Sequence, residues 1–211
     1  YEIAQCLVGS EMCIRDRRVA ERVFVTRHIK EHMPEAFDFD IPSVCAIAPG
    51  VLGVTGVETM DIVFGVANKV KPDLIIAVDA LASRRAARIS TTIQLSDSGI
   101  SPGSGVGNTR ADLSRANLGV PVIAVGVPLV VYASTISQDT ISLIADETGL
   151  HGDEARLREL AEQVIAKHMG DFIVTPKDID VIVEDMAGII ANAINSALFG
   201  NNLEQVRNML A

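Results

Sequence analysis

Tryptophan is absent from this 211-residue sequence, and only two tyrosines and six phenylalanines are present. A core of aromatic side chains is therefore excluded; the 48% of hydrophobic residues must pack as Val, Ile, Leu and Ala. Basic residues are scarce, 18 Lys plus Arg against 27 Asp plus Glu, a formal net charge of -9. That balance argues against a general nucleic-acid binder, whose footprint is basic. The three cysteines, Cys6, Cys13 and Cys45, form neither a CxxC pair nor an even framework, so the chain reads as intracellular and reduced. No long apolar run is seen: residues 120–133 come nearest, interrupted by Pro121, Gly126 and Pro128 and too short to span a bilayer. The first residues lack the basic and apolar regions of a signal peptide.

What is present is an alternation of aliphatic runs and helical patterns. Residues 44–48, 74–78, 89–95 and 120–127 read as strands. The second, Leu-Ile-Ile-Ala-Val, has no polar interruption, as in strands covered on both faces. Thr55 and Glu58 have capping-box spacing for a helix that Lys71-Pro72-Asp73 ends. Residues 136–147 and 154–167 read as helices. The last helix is signalled by Thr175, Pro176 and Asp178, with an apolar stripe of Ile179, Ile182, Val183, Met186, Ile190, Ala193 and Ala197, and is closed by Gly200 and Asn201. This order predicts an α/β fold, a three-layer sandwich with a mostly parallel sheet.

Ligands in such folds lie outside the carboxyl ends of the strands. That rule selects residues 49–56, 79–85 and 96–108. Asp79 follows the clearest strand directly and is expected at its exit, where partial withdrawal from water favours the protonated form and suits acid or base work. The competing reading is an N-cap for a helix over residues 80–87. Site-lining candidates are Thr55, Gly56 and Glu58 in the first loop, and Asp97, Gly103, Ser104, Gly105 and Asn108 in the third. The glycine-rich run over residues 102–108 fails the dinucleotide pattern, which needs Gly where Asn108 stands, and lacks the Gly-Lys-Ser/Thr of a phosphate loop. His28-Ile29-Lys30-Glu31-His32 fits the H-x-x-E-H zinc pattern, but no helix offers a third ligand, so a solvated amphipathic helix is expected there. No metal site or cofactor is implied.

Longer segments carry a resemblance. They are Val25-Thr26-Arg27-His28; residues 49–59; residues 71–82, with Val78-Asp79-Ala80-Leu81-Ala82; residues 93–100 and 102–108; residues 119–128; Val174-Thr175-Pro176-Lys177; and Glu184-Asp185-Met186-Ala187. From Arg18 to about Leu198 the chain resembles the germination proteases of endospore-forming bacteria. The resemblance implies a fold similar to hydrogenase-maturation peptidases. It implies an endopeptidase that initiates degradation of small acid-soluble spore proteins during germination, in the forespore or spore core, made as a zymogen and assembled as a homotetramer. It implies chemistry by an acid–base pair of aspartates, one activating water and the other protonating the departing amide. Asp79 matches the second aspartate. The first falls, counted without a gap, on Cys13, with Asp16 three residues out of register.

Residues 1–16 are foreign to the family pattern. They read either as a translated sequencing adapter joined to a truncated gene or as a native, divergent N-terminus. The family's glycine-rich strand belongs there, inside the sheet, and residues 3–8 are expected to substitute for it loosely. The expected organisation is thus a leader at 1–16, a single peptidase domain at 17–200 and a tail at 201–211. With one aspartate of the pair missing, the chain as written is expected to be inactive. Tyr132 and Ser101 also depart from the family, which usually has Asp and often His there. The alternatives are an inactive relative that binds or assembles with intact subunits, and a metal-assisted maturation peptidase of the hydrogenase type, whose metal-binding His is not evident. Neither a nucleic acid nor a membrane is expected as a direct partner.

Overall fold

The computed structural model describes residues 2–7, 14–33, 35, 39–50, 52–102, 111–149, 153–168, 170 and 172–210. It is an α/β protein with a mixed sheet. The chain divides into two compact units, Tyr1–Ala80 with Gln94–Gly126 and Asp180–Ala211, and Leu81–Ile93 with Val127–Ile179.

In the first unit the strands are β1 (Glu2–Leu7), β2 (Ser43–Ile47), the first part of β3 (Leu74–Ser83), β4 (Gln94–Ser96) and the first part of β5 (Val122–Tyr132). Their order is β2-β1-β3-β5-β4. The backbone of β1 runs parallel to both neighbours, with Cys6 opposite Ile47 on one side and Ala77 on the other. Residues 2–7 therefore supply an interior strand, close to the 3–8 expected from the sequence, and give partners to backbone groups of β2 and β3. The expectation of a mostly parallel sheet needs correction at one side. β4 pairs antiparallel with β5, Leu95 opposite Val125.

Helix α4 (Thr59–Val70) lies between β2 and β3 in sequence. Its Val63 and Ala67 pack with Ile75 and Ala77 of β3 and with Leu113, Leu118 and Val122. Each Val, Ile or Leu among them stabilises the fold by about 1.5–3 kcal/mol when fully buried. α4 ends where the sequence places its stop: Lys71 turns left-handed, φ 56°, and its N–H donates to Ala67 O. Its start differs. A four-residue helix, α3 (Leu52–Thr55), precedes it, and Glu58 occupies the cap position without a side-chain cap bond. The Thr55 hydroxyl bonds instead within its own turn, to the backbone of Val57. Local turn formation wins over the capping box.

The outer edge of β2 is closed by Thr26, which is fully buried. Its N–H donates to Val44 O at 3.0 Å, its hydroxyl accepts from Val44 N–H at 3.0 Å and donates to Pro42 O at 2.7 Å. An exposed strand edge is thereby withdrawn from other chains.

Helix α8 (Ile179–Phe199) begins later than Pro176 and buries Val183, Ala187, Ile190, Ala191, Ile194, Asn195 and Phe199. Ala193 and Ala197, expected on this face, are exposed. Almost every turn of α8 is apolar, so the stripe is set by what packs against it. By length and composition the span Ile179–Leu210 would suffice to cross a bilayer, with a third of its apolar window buried. Its polar ties run to residues 18–24. Asn195 Oδ1 accepts Phe24 N–H at 2.9 Å and its Nδ2 donates to Arg22 O at 3.0 Å. Glu184 pairs with Arg18 at 2.9 Å and with Arg22, whose Nη1 also donates to Glu184 O. The Phe24 and Phe199 rings stand 6.0 Å apart. Gly200 then leads through a 3-10 turn into α9 (Leu203–Leu210), which buries Val206. The remaining short helices of this unit are α1 (Ile14–Ala20), α2 (Arg27–His32) and α5 (Arg115–Leu118).

In the second unit, helices α6 (Ala133–Thr148) and α7 (Glu154–His168) pack against each other, and β6 (Ile173–Val174) pairs antiparallel with the end of β5. The expected strand over residues 89–95 is reduced to Gln94–Ser96. Ala86–Arg88 form a 3-10 turn, and Ser90 takes a positive φ of 57° while its N–H donates to Pro128 O.

Asn195→Ala should lower stability by about 2 kcal/mol, because it leaves the Phe24 N–H and the Arg22 carbonyl without their partner. Urea unfolding beside the exposed-site control Asn192→Ala, expected to change little, checks this.

Candidate active site

Asp79 is 2% exposed. It does not sit at the end of its strand. β3 runs four residues beyond it, through Ala80, Leu81, Ala82 and Ser83, so residues 80–83 are strand and Asp79 caps no helix. The register nevertheless preserves the strand-exit argument. Ile47, Cys6 and Ala77 lie in one row across β2, β1 and β3, and Ile47 is the last residue of β2. Asp79 thus lies two rows beyond the end of β2. It is carried past the carboxyl end of that parallel strand, where chemistry is placed in this fold class. By strand alternation its side chain shares a face with Ile75 and Ala77, the face packed by α4. One carboxylate oxygen, Oδ1, accepts the N–H of Ala80 at 2.8 Å, an arrangement that orients the carboxylate.

The loop that leaves β2 emerges on the same side of the sheet. Thr55 and Gly56 are exposed, Glu58 is half-buried, and Gly56 has φ 69°, which accounts for a glycine there. The sequence reading missed Thr59, 1% exposed at the head of α4, whose hydroxyl donates to Gly50 O at 3.4 Å and ties the loop to the helix. Its signal was a small hydroxyl residue opening a helix directly after a glycine-rich turn.

Asp97 is not brought to Asp79. β4 runs from the row of Gly126 to that of Ala124, back toward Pro121, whose carbonyl accepts the N–H of Ile75 at the start of β3. Asp97 therefore leaves at the opposite end of the sheet and is exposed. The strand-exit rule presumes parallel strands, and β4 is antiparallel. Gly103, Ser104, Gly105 and Asn108 lie outside the described residues, as does Cys13. His28 and His32 are exposed on α2. Among the described residues no group of three or more His, Cys, Asp or Glu is placed to hold a metal ion.

A sequence model described as germination protease matches residues 16–155 and 148–209. The chain belongs to the germination protease family. The germination protease of Clostridium tetani is 45% identical over 196 residues, covering 86% of this chain and 60% of that protein. That of Caldanaerobacter subterraneus subsp. tengcongensis is 46% identical over 206 residues, 92% of this chain and 64% of that protein. That of Bacillus cytotoxicus is 40% identical over 224 residues, 85% and 61%. The chain spans about 60% of the length of these curated relatives. Among solved structures, a proteasome-assembly chaperone homologue of Mycobacterium tuberculosis is similar over 86% of this chain and 99% of its own, at 11% identity and a TM-score of 0.30; at that level it carries no argument. The family match begins at residue 16.

Gly99, in the segment leading from Asp97, has φ 91°, and a Cβ there would stand 2.3 Å from Leu113 O. Gly99→Ala should destabilise by about 2–4 kcal/mol, from the disfavoured backbone and the overlap together. Thermal unfolding beside Gly53→Ala, where a Cβ meets nothing within 4 Å, checks it.

Proposed function

We propose that this chain is the peptidase portion of a spore-protein endopeptidase, one that initiates degradation of small acid-soluble spore proteins during germination. The observation that carries the reading is a buried carboxylate, Asp79, set two rows beyond the end of β2 in a germination protease chain. Asp79 is one member of an acid–base pair, and the position matching the other is Cys13. A thiol is a poor substitute for a water-activating carboxylate. Two carboxylates divide this chemistry when one holds the proton and the other is ionised. The family reading brings a three-layer fold akin to hydrogenase-maturation peptidases, a zymogen, a homotetramer and a place in the spore core; these rest on the resemblance.

The purified 211-residue chain should cleave spore proteins little or not at all. Replacing residues 1–16 with the family's glycine-rich strand and its aspartate should restore cleavage, and Asp79→Asn in that restored chain should lower the rate by about 10²–10⁴-fold, the range of a lost acid or base. Electrophoresis of spore-protein digests reads the result. Cleavage by the present chain that Asp79→Asn abolishes would sink the two-aspartate assignment; a restored chain that cleaves nothing would favour a binding subunit.

A further inference from the structure

We infer that Thr59 is a positioning residue for Asp79, acting on its carboxylate from the head of α4. The inference deepens the peptidase reading. It rests on that reading for what Asp79 does, but not for where Thr59 stands.

The placement follows from two periodicities. α4 ends at Val70 and β3 starts at Leu74, so the helix runs back along the strand that follows it. Thr59, Val63 and Ala67, spaced four residues apart, are the buried residues of α4. Ile75, Ala77 and Asp79, spaced two apart, are buried on the face of β3 that α4 covers. A helical step of four residues rises about 6 Å. A strand step of two rises about 6.6 Å. The two series therefore keep pace. Counted from the joining turn, Ala67 falls beside Ile75, Val63 beside Ala77 and Thr59 beside Asp79. Two apolar rungs are followed by a polar one, and the polar rung lies where β2 has already ended.

Burial makes the polar rung informative. A hydroxyl taken out of water costs stability unless it is well bonded. The bond that Thr59 makes, to Gly50 O, is long at 3.4 Å. Gly50 is only partly buried, so its carbonyl has access to water without Thr59. A valine has nearly the same shape and would continue the apolar series of Val63 and Ala67. Stability alone therefore gives little reason for a threonine here. What the hydroxyl supplies is a hold on the turn beside the carboxylate. Gly50 turns at φ 79°, and a Cβ on it would stand 3.0 Å from Thr55 Cγ2, so this turn is folded closely on itself. The threonine side chain is branched at Cβ and stiff. It also opens a helix, the end at which a negative charge is favoured. Asp79 Oδ1 is held from its own strand by Ala80 N–H at 2.8 Å. Thr59 adds the wall on the α4 side and fixes the turn over it. An acid or base needs such placement, because a misplacement of about 1 Å costs on the order of 10²-fold in rate.

The test is amide hydrogen exchange by NMR on the full 211-residue chain, read at Ala80, whose N–H is bonded to the Asp79 carboxylate. Thr59→Val should speed exchange at Ala80 by about tenfold or more, the effect of loosening one ordered hydrogen bond. The urea midpoint should stay where it is or rise. Thr59→Ser, which keeps the hydroxyl, should exchange like the parent. Unchanged exchange at Ala80 in Thr59→Val overturns the inference. A lower urea midpoint with all slow amides exchanging faster together overturns it too, because that is the mark of a threonine needed only for stability. Failure of Thr59→Ser to rescue has the same consequence. The same two variants, placed in the chain restored with the family's N-terminal strand and aspartate, read the chemistry. Thr59→Val should lower kcat by about tenfold or more at nearly constant KM, and Thr59→Ser should not. A Thr59→Val chain that cleaves at the full rate overturns the inference. A restored chain that cleaves nothing tells against the peptidase reading instead, and exchange at Ala80 then decides whether Thr59 positions Asp79.

Discussion

Parallel pairing of β3 with β1 is the constraint on which the candidate site depends. Residues 74–79 are buried almost throughout, so they need a covered face on either side and a hydrogen-bonded strand at either edge. β1 meets the second need along Leu74–Val78, and β2, on the far side of β1, ends two rows before Asp79. The difference in length between β2 and β3 places a carboxylate inside a buried strand yet beyond the end of a parallel strand of the same sheet.

The same first unit is tied at its helical side by few but long-range contacts. Arg18, Arg22 and Phe24 reach α8 through Glu184 and Asn195, more than 160 residues away in sequence. Exposed ion pairs of this kind contribute little by themselves. Asn195 is different, because it is 3% exposed and supplies both a donor and an acceptor to otherwise unmatched backbone. It fixes where the chain runs at residues 22–24.

Several features were legible from residue order. The all-apolar run 74–78 announced a doubly covered strand, Lys71-Pro72-Asp73 the end of α4, and the long family segments the family itself. Others were ambiguous. An apolar continuation, Ala80-Leu81-Ala82, serves a helix as well as a strand, and only pairing decided for strand. In α8 apolar residues stand on the exposed face as well, Val181 and Ile189 among them, so the buried face could not be read from periodicity.

Residue order alone determined the aliphatic character of the core, the elements with strong stop signals, and a carboxylate directly after the strongest strand. Those depend on local backbone preference and on side-chain type, which a sequence states directly. The tertiary structure decided the antiparallel course of β4, which sends Asp97 to the far end of the sheet from Asp79. It also decided the row at which β2 ends. Strand direction, register and charge pairing join residues distant in sequence, and only the assembled fold brings those residues into contact.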